Sequence, residues 1–160
     1  MTAAGIEREI RLISERLVAL NNKAPEMSGM DWARDHGWIS ENEWESAEEQ
    51  SKNGVRLQEA ELEKIETLRR KHPEPMTEFL TQYIDRLKNT QQNLNRMAAK
   101  AAEQKIEFSM QFNRHLLVDI IACLEGWKNK RKTKHWPAWM WRVVFSVNDE
   151  SERFIEKSGG

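Results

Sequence analysis

The chain has 160 residues, of which 32 % are charged and 39 % hydrophobic, and its formal net charge is −1. This length suits one domain with its own core, and the near-neutral charge excludes electrostatic attraction of the whole molecule to nucleic acid. Only 7 glycines and 4 prolines occur, which favours a helix-rich protein with long solvated faces. The single cysteine, Cys123, excludes an internal disulfide.

The first segment carries an apolar seam typical of one face of a helix. Its members are spaced four and three residues apart, and they are Ile6, Ile10, Ile13, Leu17 and Leu20. Asn21, Asn22 and Pro25 should end this helix. Because an isolated helix of about five turns is marginal in water, the seam predicts that another helix covers it.

Residues 28–44, SGMDWARDHGWISENEW, contain signals for one helix end and one helix start. Ser28 is a candidate N-cap for a short helix, and Gly37 suits the left-handed position just beyond its last turn. Ser40 and Glu43 then form an S-x-x-E capping box, which predicts the start of the next helix. The pattern therefore predicts a short helical elbow near the N-terminus.

The elbow contains three tryptophans, Trp32, Trp38 and Trp44. Each has a position in the local capping scheme, so we predict that they mainly hold the elbow together. Tryptophan is also enriched among residues that dominate binding surfaces. The three side chains are therefore candidate partner-binding residues as well.

A long helical hairpin is predicted after the elbow. One helix should run from Ser40 to about Lys71, where the sequence HPEP stops it. Its residues 41–66 hold nine acids and three bases, which we interpret as a solvated face. Residues 76–105 are predicted to fold back on this helix as an antiparallel, coiled-coil-like partner.

The segment from Pro75 to Glu125 has no internal glycine or proline, and an apolar 3.5-residue repeat follows it as far as Phe112. A bend or break is expected either in the poor helix-forming stretch at 89–95 or near residue 104. The segment is therefore one helix or two. Residues 106–127 form its most apolar part and are predicted to be a helix at the centre of the core.

Residues 128–145, KNKRKTKHWPAWMWRVVF, contain six bases and three tryptophans but no acid. We interpret them as a basic loop followed by a tryptophan-rich helix, whose wide apolar arc should pack on the bundle. A short strand at 143–147 is the alternative, but no second strand is predicted to pair with it. The bases are Lys128, Lys130, Arg131, Lys132, Lys134 and Arg142, and the aromatic candidates for partner binding are Trp136 and Trp139.

This basic and aromatic segment permits three functional hypotheses. Our leading hypothesis is a non-enzymatic protein-interaction or assembly module, an accessory or regulatory subunit of a larger complex, with a protein partner or a second copy bound. The first alternative is a nucleic-acid-binding accessory factor, because bases neutralise phosphates and tryptophans stack on nucleobases. The second is peripheral attachment to a membrane surface, which we do not expect.

The sequence predicts no catalytic residue, cofactor or metal. The four histidines lie on separate segments without a recognised ligand set. His115, Asp119 and Cys123 are spaced four residues apart on one predicted helix. The histidine and the cysteine would then lie about 12 Å apart along the axis, too far for a hydrogen bond that activates the thiol. His115 and Asp119 are instead predicted to form a polar pair.

Together these features predict an all-α fold, an elongated helical bundle built on a long antiparallel hairpin, with an N-terminal elbow and a C-terminal tryptophan-rich helix. We assign residues 1–127 to the bundle and residues 128–160 to the basic loop and the helix packed on it. The first residues lack the apolar run of a secretory signal, and no apolar run approaches the roughly 20 residues of a spanning helix. We therefore expect a cytoplasmic protein.

Overall fold

A computed structural model describes residues 1–129 and 138–159, and in these ranges the chain forms six α-helices and no strand. The helices are α1 (Ala3–Lys23), α2 (Met27–Asp35), α3 (Glu41–Lys71), α4 (Pro73–Glu103), α5 (Gln111–Lys128) and α6 (Ala138–Lys157). The predicted all-α bundle is therefore confirmed. The last segment is a helix, so the alternative of a strand at 143–147 is wrong.

The core is built from one apolar face of each helix except α2, which contains no buried residue. The largest fully buried side chains are Ile6, Ile10, Ile13, Leu17, Ile65, Met76, Leu87, Leu94, Leu117, Ile120, Leu124 and Met140. The seam predicted on α1 is thus buried along most of its length, and only Leu20 at its end is half-buried. Its neighbours are α3, α4 and α6.

Helices α3 and α4 form a hairpin joined at a single residue. His72 ends α3 and precedes α4, whose first residue is Pro73. A proline at the first helical position has a suitable φ and lacks an N–H that would otherwise be unpaired. The turn predicted from the HPEP sequence is therefore confirmed.

Helix α3 packs on α1, with contacts at Glu61 and near Gly54. The Arg16 guanidinium of α1 lies 2.9 Å from the Glu61 carboxylate of α3. A Cβ added at Gly54 would lie 3.9 Å from the Cβ of Ala24, just beyond the end of α1. The part of α3 that precedes Gly54 packs against α2 instead.

Helices α4 and α5 run antiparallel. Arg114 donates to the Asn95 side chain over 2.7 Å, and Lys88 lies 2.6 Å from the Glu125 carboxylate. Helix α6 then returns antiparallel along α5. Its Trp141 ring meets Trp127 edge-on with centroids 5.5 Å apart, and Asn113 donates to Ser151 near the opposite ends of the two helices.

The segment between residues 76 and 126 is two helices, with the break at residue 105. Lys105 has a φ of 56°, its N–H donates to Ala102 and the N–H of Ile106 donates to Ala101. This is a Schellman motif, which usually carries glycine at its left-handed position. Helix α4 continues without a break through 89–95, and α5 begins at Gln111, so the predicted helix start at residue 106 is wrong.

The elbow has the predicted form, with one correction. The helix start at Ser28 is wrong, because the first intrahelical bond already runs from the Met30 N–H to the Glu26 carbonyl. Ser28 therefore lies inside the first turn, where its hydroxyl donates to the Glu26 carboxylate.

The helix end and the capping box are confirmed. Gly37 has a φ of 72°, and the Trp38 N–H donates to the Ala33 carbonyl over 2.8 Å, as a Schellman motif requires. The Ser40 hydroxyl accepts from the Glu43 N–H, while the Glu43 carboxylate accepts from the Ser40 N–H.

Candidate functional site

Residues 26–49, here called the elbow, comprise α2, its connection to α3 and the first turns of α3. Trp44 holds these parts together, because its indole N–H donates to the Asp31 carboxylate over 2.6 Å. The guanidinium of Arg34 lies 4.2 Å from the centroid of the Trp44 ring, within the range of a cation–π interaction. The predicted structural role is therefore correct for Trp44.

The other two tryptophans of the elbow face outward. Trp32 is 52 % exposed and Trp38 is 75 % exposed. Their ring centroids lie 5.7 Å apart, and His36 stacks on Trp32 with centroids 4.2 Å apart. We call Trp32, His36 and Trp38 the aromatic patch. Trp38 contacts Trp32 where a Schellman motif places its apolar contact, as predicted, and both side chains also stay exposed to a partner.

The elbow contributes almost nothing to the core. Between residues 26 and 49 only Ala47 is buried. Scattered exposed apolar side chains need no explanation, but adjacent large ones mark interaction sites. Apart from their contacts with one another at the end of α2, the side chains of the aromatic patch stay exposed in the described part of the chain.

The elbow is strongly acidic. Residues 26–49 hold eight acids and one arginine, a net charge of −7. That arginine, Arg34, already lies 3.4 Å from the Asp35 carboxylate and 4.0 Å from that of Glu41. A surface of this sign repels phosphate backbones and anionic lipids and attracts cationic side chains.

The basic segment is only partly within the described residues. Lys130, Arg131, Lys132, Lys134 and Trp136 lie outside them. Lys128 is in the last turn of α5 and is half-buried. The nucleic-acid and membrane hypotheses, which depend on this segment, stay predictions.

Trp139 and Arg142, the two candidates on α6, lie against the bundle. Trp139 is half-buried and packs on the hydrophobic core. The Arg142 guanidinium donates to the Gln58 amide oxygen over 2.9 Å, and burial lowers its pKa. Arg142 therefore ties α6 to α3.

A second surface, which the sequence analysis did not identify, lies where α4 ends and α5 begins. We call it the end groove. It has a volume of about 480 Å³ and an apolar floor formed by Ala98, Ala99, Ala102, Ile106 and Phe108. Phe112, the residue after the groove-lining Gln111, is 73 % exposed, so its predicted place in the apolar repeat does not bury it. The alanines between residues 98 and 102 are the sequence feature that could have indicated this groove, since small side chains allow another surface to approach closely.

Another concavity, of about 520 Å³, lies between α1 and α4 and is lined by Arg11, Tyr83 and Arg86 among others. Of its three arginines, two are already paired, Arg11 with Asp149 at 3.0 Å and Arg86 with Glu152 at 2.7 Å. Burial raises the pKa of Tyr83, so its phenol stays neutral. These groups connect α1, α4 and α6, and we interpret them as structural.

The pair of polar residues predicted on α5 does not form. His115 lies 3.2 Å from the Gln111 amide nitrogen rather than against Asp119. Burial, followed by the charge of Asp119, raises the pKa of the Cys123 thiol, which disfavours the reactive thiolate.

Residues 1–129 and 138–159 contain no group of three or more His, Cys, Asp or Glu side chains that could hold a metal ion. No helix in the described part of the chain is long and apolar enough to cross a bilayer.

Comparison with protein-family models, with curated proteins and with solved structures finds no match to this chain.

Proposed function

We propose that this chain is a non-enzymatic interaction module that docks through its elbow onto a basic protein surface, as an accessory or assembly subunit. The observation that supports this proposal is the aromatic patch. Trp32 and Trp38 are exposed side by side on an elbow that carries a net charge of −7 and buries only Ala47.

The chemistry of the patch favours a cationic protein partner. Tryptophan is the most favourable aromatic ring for a cation–π interaction, and it is enriched among the residues that dominate binding energy. The contact of Arg34 with the Trp44 ring shows the same pairing within the elbow. Lysine or arginine side chains of a partner would gain both this contact and the long-range attraction of the surrounding acids.

The same charge argues against phosphate-bearing partners at the elbow. A nucleic-acid backbone or an anionic lipid would be repelled by the eight acids of residues 26–49. Nucleic-acid binding through Lys130, Arg131 and Lys132 remains a separate hypothesis. It predicts a gel shift of DNA or RNA that is lost when these three residues are changed to glutamate.

The proposal is tested by capture of interacting proteins from the native host on three forms of the chain. We expect the wild type to capture a protein that the variant Trp32→Ser/Trp38→Ser does not retain. The matched control is Val55→Ser/Leu57→Ser, which removes side chains that are 52 % and 46 % exposed on α3 beyond the elbow. Capture should persist in this control and weaken with rising salt.

Two results would contradict the proposal. One is that no protein, a second copy of the chain included, depends on Trp32 and Trp38 for its capture. The other is that the Val55→Ser/Leu57→Ser control loses the same protein, since the contact would then not belong to the aromatic patch.

A further inference from the structure

The end groove has the properties of a docking surface for an apolar and acidic partner. Its floor is apolar, and its volume of about 480 Å³ lies in the range of concave binding sites, which is about 300–1,000 Å³. Ile106 is 59 % exposed at its edge. These side chains are accessible to a partner without any rearrangement of the bundle.

The segment that forms the groove, residues 95–114, carries a net positive charge, and one base and one acid, Arg114 and Glu107, line the groove itself. Residues 95–114 hold four bases and two acids. The bases are Arg96, Lys100, Lys105 and Arg114, and within the described part of the chain none of them forms an ion pair. Arg96 donates to Asn93, and Arg114 donates to Asn95 and Gln111. Their charge is available to an acidic partner.

We propose that the end groove binds the elbow of a second copy of this chain. This inference rests on the proposed function, because it identifies the basic partner surface that the elbow recognises. The two surfaces are complementary in charge and in their exposed apolar side chains. One presents exposed tryptophans among acids with a net charge of −7, and the other presents an apolar floor within a segment that holds four bases and two acids.

The exposed bases offer direct partners for the aromatic patch. Lys100 and Lys105 are exposed on either side of Ala102 in the sequence. Lys105 directly precedes Ile106, which lines the groove, and its ammonium group can meet the face of Trp38 in a cation–π contact. Charged contacts of this kind speed association and fix its orientation.

The predicted assembly is heterologous, because the elbow of one copy meets a different surface of the next. A pair of copies leaves one elbow and one groove unoccupied, so further copies can add head to tail. The result is an open chain, or a ring if the last copy meets the first. A symmetric pairing of two elbows would instead bring two surfaces of charge −7 together, which repel each other.

The experiment is sedimentation velocity of the full chain over a range of concentrations at low and high salt. We expect wild-type species heavier than the 18.9 kDa monomer at low salt, and dissociation as the salt concentration rises. The elbow variant is Trp32→Ser/Trp38→Ser. The groove variant is Ala102→Glu/Ile106→Glu, which places acids against the acidic elbow at two exposed positions. Each variant alone should be monomeric.

Mixing the two variants is the decisive step. The elbow variant keeps an intact groove, and the groove variant keeps an intact elbow. An equimolar mixture should therefore form a species of two chains and nothing larger. The control Val55→Ser/Leu57→Ser should associate like the wild type.

A mixture that stays monomeric overturns the pairing of elbow and groove, as does a wild type that is monomeric at every concentration. If that monomer still captures another protein through Trp32 and Trp38, the proposed function stands and only the second copy is excluded. Circular dichroism checks that each variant is folded. If Ala102→Glu/Ile106→Glu is not folded, the single variant Ala102→Glu replaces it, since Ala102 is exposed and lines the groove.

Discussion

The bundle and the elbow are built on different physical principles. In the bundle, seam residues such as Ile6, Ile10 and Leu17 have no exposed surface, and burial of apolar area is the main stabilising term. In the elbow only Ala47 is buried, and the backbone is held by a Schellman motif and a capping box. Stability therefore resides in the bundle, while the elbow presents its large side chains to solvent.

Helix α3 passes through both regions and shows the boundary between them. Beyond Gly54 it contacts α1, and before Gly54 it contacts α2, which buries nothing. Regions with few buried contacts open locally at lower free energy than the core. We therefore expect the elbow to unfold independently while the bundle stays folded.

The largest expected effect comes from a cavity in the bundle. Ile10→Ala removes a side chain that is fully buried in α1, and it should lower the free energy of unfolding by about 3 kcal/mol. Urea unfolding followed by circular dichroism measures this change.

The matched control for this cavity is Leu12→Ala in the same helix. Leu12 is 42 % exposed, so its removal should cost less than about 1 kcal/mol. The elbow variant Trp38→Ser should behave like the control. A cost for Trp38→Ser as large as that for Ile10→Ala would show that the patch is part of the core.

A smaller and local effect is expected at the capping box. Ser40→Ala removes the hydroxyl that accepts from the Glu43 N–H over 3.1 Å, and the expected cost is about 1 kcal/mol. Hydrogen exchange should speed up in α2 and in the first turns of α3, while amides of α4 keep their rates.

Ser46→Ala is the control for this change, because Ser46 is exposed inside α3 and caps no helix. Its exchange rates should be unchanged or slower, since alanine favours a helix interior. If Ser40→Ala accelerates exchange equally in α4, the elbow and the bundle unfold together and the distinction between them fails.

The sequence predicts those parts of the fold that local patterns determine. The spacing from Ile6 to Leu17 indicates the buried face of α1, and Gly37 and Ser40 indicate the helix end and start in the elbow. The turn at Pro73 follows from the absence of an N–H in proline. Each of these features depends on residues close together in the chain.

The exposure of individual side chains was not predictable in this way. Trp38 and Trp44 both lie next to helix ends, yet only Trp44 finds a partner across the elbow, in Asp31. Phe112 fits the apolar repeat, but α5 begins only at Gln111, and the rotation of that helix leaves Phe112 in solvent. Both outcomes depend on tertiary packing rather than on local sequence.

The helix break at Lys105 was predicted only approximately, because its left-handed position does not carry glycine. An L-residue in this conformation costs about 1–2 kcal/mol. Lys105→Gly should therefore stabilise the protein, by about 0.5–1 kcal/mol after the entropy of glycine in the unfolded chain is included. Urea unfolding provides the measurement.

Lys100→Gly is the control, since Lys100 lies inside α4, where glycine costs about 1 kcal/mol. The two substitutions should change the free energy of unfolding in opposite directions. Equal losses for both would mean that Lys105 does not adopt the left-handed conformation in solution.

The smallest expected effect concerns the ion pair that fixes α3 to α1 on the bundle side of the boundary. Glu61 accepts from Arg16 over 2.9 Å and from Lys64 over 2.8 Å. Burial raises its pKa, but these hydrogen bonds and charges outweigh burial and leave the pKa below its ordinary value. Because Arg16 is half exposed, Glu61→Gln should cost only about 0.5 kcal/mol at neutral pH.

The pH dependence identifies this contribution. A carboxyl whose pKa is lower in the folded state stabilises above its unfolded pKa, about 4.3 for glutamate, and loses that effect as the pH falls through the folded pKa. The difference between wild type and Glu61→Gln should therefore be full above about pH 5 and shrink below pH 4. A difference between wild type and Glu61→Gln that stays constant as the pH falls from 7 to 3 would mean that the charge of Glu61 does not stabilise the contact of α3 with α1.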